Sequence, residues 1–130
     1  MGVDPAPILP LTEQIENSSL YFESANGTWF LFTNHVGIKH GLEYTDAIWV
    51  YWSKHLEHWD PANKAIVLDG RNCIWSRRVI GLPSVIRDGN RLAILYDAPG
   101  DNSTSHMKRS IGLAWLQLPL RYPTLHSRTR

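Results

Sequence analysis

Apolar residues along this chain gather in short runs between polar turns, and the runs fall into two similar groups. In the first group, residues 20–22 predict a short strand, 24–27 a tight turn and 28–33 the returning strand. Residues 46–52 predict a third strand, and 65–68 a fourth after a connection holding Asp60 and Pro61. The second group repeats the order with 84–86, a turn at 87–90, and strands at 91–96 and 110–115, with no fourth strand evident. Residues 1–12 contain three prolines and no periodicity. They predict an extended N-terminal arm, leaving 13–130 as a single domain of two repeats at about 15–68 and 80–126.

One offset of 63 positions relates the groups: Ile48 falls on Ile111, Trp52 on Trp115 and Trp59 on Tyr122. Spacing kept across two strands and a turn is the mark of a repeated supersecondary unit. Units of this length, rich in aromatic and β-branched residues, predict an all-β chain of two β-propeller-like blades, each an antiparallel four-stranded sheet. The runs at 29–32 and 48–52 are apolar on consecutive positions, so both faces of these strands are expected to be covered. Antiparallel strands turn at alternate ends, which gathers the long connections (13–18, 34–45, 69–82 and 97–109) on one face and the tight turns on the other. A face of long loops on a rigid scaffold is where a site would be built.

Composition narrows the classes. With 43% hydrophobic and 19% charged residues the 130-residue chain can bury a core. Its net charge of +1 offers no field for nucleic acid or an anionic membrane, so neither partner is expected. The basic end at 121–130 is read as a solvated terminus. Cys73 is the only cysteine, which excludes an internal disulfide and predicts a small buried hydrophobe. No apolar run is long enough to span a bilayer and the first residues lack a secretory pattern, so a cytoplasmic location is expected.

The run I-E-N-S-S-L-Y-F at 15–22, G-T-W-F-L-F at 27–32, A-I-W-V-Y-W-S at 47–53 and L-E-H-W at 56–59 resemble one blade of the five-bladed β-propeller glycosidases, the arabinanase/β-xylosidase and invertase/levansucrase group. The run I-G-L-P-S-V-I at 80–86, with D-G-N at 88–90, 92–96 and S-I-G-L-A at 110–114, looks like the following blade. That resemblance implies acid-base glycoside hydrolysis by an Asp base, an Asp that tunes the acid, and a Glu general acid. Hydrolysis needs two carboxyl groups flanking the glycosidic bond. Glu16 matches the general acid, and desolvation would raise its pKa if it sat in a dry funnel. The two family aspartates belong to preceding blades that this chain does not contain, leaving Asp46 and Asp97 as substitutes. Two blades cannot close a five-bladed ring, so self-association into a homo-oligomer is expected.

Sugar contacts are assigned to the long-loop face. Trp75 offers a stacking platform there, and Arg77 and Arg78 paired donors. His40 and His106 lie in equivalent loops, with His35 and Glu43 beside His40. Their spacing lacks the tight pairs of a zinc site, and no metal or cofactor is expected. Trp29, Trp49, Trp52, Trp59 and Trp115 lie on or beside strands and are expected in the core. Two other functions fit the same residues. One is a non-catalytic glycan-binding module, which the missing aspartates favour, and the other is a structural or interaction protein derived from a truncated propeller.

Overall fold

The computed structural model describes residues 1–39 and 42–123. A 3-10 turn at Leu11–Glu13 precedes β1 (Ile15–Glu23), β2 (Thr28–His35), β3 (Gly37–Lys39), β4 (Leu42–Tyr44), β5 (Ala47–Ser53), β6 (Lys64–Asp69), β7 (Gly81–Asp88), β8 (Arg91–Ala98) and β9 (Ser110–Gln117). The chain is all-β. One antiparallel sheet has the order β1-β2-β5-β6, the second has β7-β8-β9, and β3 and β4 form a separate hairpin. Among the described residues the second sheet has three strands, where the apolar pattern gave no fourth.

Two local features differ from the sequence expectation. Segment 13–18 is largely strand and not loop, because β1 continues through a bulge at Asn17, between the pairs Glu16–Asn34 and Ser18–Thr33. Asn17 takes a positive φ of 60°, which asparagine tolerates better than most side chains. The connection at 34–45 is likewise not a plain loop, since it carries the β3–β4 hairpin.

Register carries the repeat into three dimensions. Phe32 pairs with Val50 and Phe30 with Trp52, while Leu95 pairs with Leu113 and Ala93 with Trp115. The 63-residue offset therefore holds across β2–β5 and β8–β9. The first hairpin closes through a turn between Glu23 and Thr28, and the second through the tighter turn between Asp88 and Arg91. Gly27 and Gly89 supply the positive φ these turns need. Even the bulge recurs: Leu82 has φ 53° between the pairs Gly81–Asp97 and Ser84–Leu95, the place that Asn17 holds in the first sheet.

The core lies between the sheets. Phe30, Phe32, Ile48, Val50, Trp52 and Leu68 meet Leu92, Ile94 and Tyr96, all buried. Each large side chain removed from water there contributes roughly 2 kcal/mol. Strand β7 packs on β1, β2 and β5. Its free edge is satisfied from the first sheet, as the Val85 N–H donates to Ser19 Oγ at 3.0 Å and the Leu82 N–H to Asn34 Oδ1 at 3.0 Å. Cys73 is buried in this core as expected. The chain beyond β9 folds back on the first sheet, where buried Glu23 accepts the Leu120 N–H at 2.8 Å and Tyr122 stacks on Trp52 at 5.5 Å.

The expectation that both faces are covered holds for the runs at 29–32 and 48–52, where every residue is buried or half-buried and Tyr51 is sealed on the outer side, but it does not extend to the second sheet. Trp52 and Trp59 are buried, whereas Trp29 and Trp49 are half-buried and Trp115 is exposed on the outer side of the second sheet.

Candidate functional site

The two bulges open onto one cleft. It has a volume of about 170 Å³ and lies where the start of β1 approaches the start of β7, between the ends of β2 and β8. The register explains why these residues meet. Glu16 and Gly81 occupy equivalent positions in the two sheets, as do Asn17 and Leu82, and Asn34 and Asp97, and all six line the cleft. The remaining walls come from the long connections, through Val36, Thr45, His106 and Arg109.

Asn34 is the hinge pin of the cleft. Its side chain is fully buried, and its Oδ1 accepts both the Leu82 N–H at 3.0 Å and Asn17 Nδ2 at 3.3 Å. Asn17 Nδ2 also donates to Glu16 Oε1 at 3.2 Å. Gly81 is required here, because a Cβ would lie 2.9 Å from Thr45 Oγ1. Opposite, Asp97 at the end of β8 is clamped by Arg109, whose Nε and Nη2 reach the same oxygen, Oδ1, at 3.0 and 2.6 Å. Both side chains of that ion pair are largely buried, at 14% and 13% exposure. The cleft thus offers one exposed carboxylate, one carboxylate already paired to a guanidinium, an imidazole and amide donors. That set suits a small ligand dense in hydroxyls. Its volume falls below the span common for drug-sized pockets.

Of the residues singled out in the sequence, Glu16, Asp97 and His106 come together in this cleft. Glu16 is exposed, so this chain alone does not enclose it in a dry funnel. Asp46 is exposed just before β5 and does not line the cleft. Trp75 is half-buried, stacks on Tyr96 at 5.9 Å and donates its Nε1–H to Tyr96 Oη at 3.0 Å. Arg77 and Arg78 are exposed and also stand outside the cleft walls. His40 lies outside the described residues. Asn17, Asn34, Thr45 and Arg109 are the polar cleft residues to which sequence reasoning gave no role. A polar residue continuing the inward-facing Phe30, Phe32 register was the available signal for Asn34.

A second polar cluster sits on the opposite side of the first sheet. Tyr51 Oη donates to Glu13 Oε1 at 2.6 Å and lies 2.9 Å from His35 Nε2. Since that hydroxyl proton goes to Glu13, the imidazole is the donor to Tyr51 and carries its proton on Nε2. Lys64 Nζ reaches the same Glu13 oxygen at 2.7 Å, and His35 stacks on Trp49 at 4.7 Å. The hydrogen bonds from Lys64 and then Tyr51 hold Glu13 below the usual carboxylate range. Burial, then the Lys64 charge, pushes His35 down. Burial and the Glu13 bond push the Tyr51 phenol up. Among the described residues no group of three or more His, Cys, Asp or Glu side chains is arranged to hold a metal ion, and no helix is long and apolar enough to cross a membrane.

No family model matches the chain, and no curated protein sequence matches it. Solved structures do. The GH43_1 enzyme from Xanthomonas citri, in crystals with xylose and with xylotriose, superposes with TM-score 0.62 at 17% identity, over 88% of this chain and 32% of that one. An endo-1,4-beta-xylanase from Bacteroides thetaiotaomicron superposes with TM-score 0.53 at 16% identity, over 89% of this chain and 40% of that one. The chain therefore spans about a third of the length of the Xanthomonas enzyme. It has the fold of a segment of a glycoside-hydrolase propeller.

Proposed function

We propose that this chain binds a saccharide in the cleft between its two sheets. Glu16 accepts hydrogen bonds from hydroxyl groups, the Asp97–Arg109 pair and Asn17 supply fixed polar partners, and His106 borders the ligand. The observation that carries the reading is the convergence of Glu16, Asp97 and His106 on one cleft from separate segments, on a fold shared with one enzyme crystallised with xylose and with xylotriose. Xylo-oligosaccharides are the ligand class to test first.

Glycosidic cleavage is the second reading, favoured by Glu16 and Asp97 lining the same cleft. Glu16 would protonate the leaving oxygen. A base must then stand about 5 to 10 Å across the bond. Asp97 is a poor base, because its Oδ1 already takes two Arg109 bonds. Catalysis therefore needs a carboxylate from outside these 130 residues, and without one, binding without turnover is expected.

Calorimetric titration with xylose and xylotriose, alongside a reducing-sugar assay, separates the readings. A hydrogen bond to a charged group contributes about 1.5 to 3 kcal/mol, so Glu16→Gln should weaken binding about tenfold or more. Binding unaffected by both Glu16→Gln and His106→Ala would remove the cleft from consideration. Turnover lost in Glu16→Gln would establish the hydrolytic reading.

A further inference from the structure

The outer side of the second sheet is a second edition of the side by which the first sheet is buried. In the first sheet Phe32, Ile48, Val50 and Trp52 are 0%, 0%, 8% and 5% exposed. Their register equivalents in the second sheet, Leu95, Ile111, Leu113 and Trp115, are 39%, 72%, 52% and 40% exposed. The converse holds too. The buried side of the second sheet, with Val85, Leu92 and Ile94, corresponds to Leu20, Trp29 and Leu31 on the outer side of the first. Leu20 is 41% exposed, and its neighbour Phe22 is 42% exposed.

We propose that these two outer sides are the halves of one interface, and that its occupant is a second copy of this chain. The Leu95, Ile111, Leu113, Trp115 surface of one copy seats on the Leu20, Phe22, Trp29, Leu31 surface of the next, repeating between chains the junction that already joins the two sheets within one. The packed internal junction is the argument for the fit, because equivalent positions in equivalent registers present apolar side chains to an equivalent apolar side. The seat lies toward the Leu20–Phe22 end. At the other end Tyr51 and Thr33 are already covered, and the Glu13–Lys64 pair stands over Tyr51. Such a contact is head-to-tail, so it generates a closed ring if the rotation per copy divides a full turn and a filament if it does not.

Light scattering on the full chain at tens of micromolar should give a multiple of the chain mass. Two double variants test the orientation. Ile111→Glu with Leu113→Glu spoils one half-interface, and Leu20→Glu with Phe22→Glu spoils the other, all at exposed positions where the fold tolerates charge. Each variant alone should be monomeric. Their equimolar mixture should form a heterodimer of twice the chain mass, since it contains one intact junction and cannot extend further. That rescue also shows that both variants are folded. A monomeric parent chain, an oligomer that survives in either variant, or a mixture that stays monomeric would each overturn the proposal.

Discussion

Asn34 and Asp97 hold the same register position in the two sheets and line the same cleft, yet they do opposite work. Asn34 turns its acceptor toward the neighbouring sheet, taking the Leu82 N–H and the Asn17 amide. Asp97 turns toward the loop after its own strand, where Arg109 neutralises it. One position locks the sheets together and the other orders the cleft wall.

Removing the first role should be costly. In Asn34→Ala the Leu82 N–H loses its part-buried bond and a fully buried side chain is removed, so a loss of about 1 to 2 kcal/mol is expected in urea unfolding. Asn34→Asp keeps an acceptor but buries a carboxylate. Burial raises a carboxylate's folded pKa, so this variant's penalty should grow as pH rises above about 4.

Arg109→Met should cost about 3 kcal/mol, because it leaves Asp97 largely buried and unpaired. Adding Asp97→Asn should return much of that loss. A double-mutant cycle in urea measures the coupling, and additive single effects would contradict the clamp.

The Glu13–Tyr51–His35–Lys64 cluster predicts a stability that falls toward both acid and alkali. His35 titrates in the fold below its ordinary 6.5, so the unfolded chain takes the proton first and stability drops as pH falls below that value. Glu13, held below 4.5, adds a second loss as pH falls further. Tyr51 is pushed above 10.0, so the unfolded phenol ionises first and stability drops as pH rises past that value. His35→Gln should flatten the Tm profile between about pH 6.5 and 5, leaving the steeper loss near Glu13 in place. Asp46 and Lys64, whose charges also act on His35, are unchanged in that comparison.

Gly112→Ala should destabilise by about 1 to 3 kcal/mol. The added Cβ would stand 2.6 Å from Tyr96 Oη and 2.7 Å from Trp75 Cζ2, in a stacked pair with little room to yield. Chemical unfolding followed by tryptophan fluorescence reads both the loss and the disturbed Trp75.

The repeat was legible because strand register obeys sequence spacing: the 63-residue offset survives as paired positions in both sheets. The extent of β1 was not. Residues 16–19 are all polar, so the segment looks like loop while it pairs as strand around a bulge at Asn17. The exposure of Trp115 was hidden for a different reason. Its run is as apolar as that around Trp52, and only the count of sheets in the chain decides which run finds a partner. Asp97 could be named from its position at a strand end, and Glu16 from the family resemblance of the I-E pair, but the Arg109 clamp depends on how the loop at 97–109 folds back, which spacing does not encode.

Cys73 Sγ sits 3.5 Å from Tyr96 Oη in the core between the sheets, and Tyr96 is pushed up to about 12, chiefly by burial. The molecule thus carries its own chemical clock. A thiol reagent reaches that sulfur only while the packing around it stands ajar, so the alkylation rate counts how often the halves part, without any label being introduced.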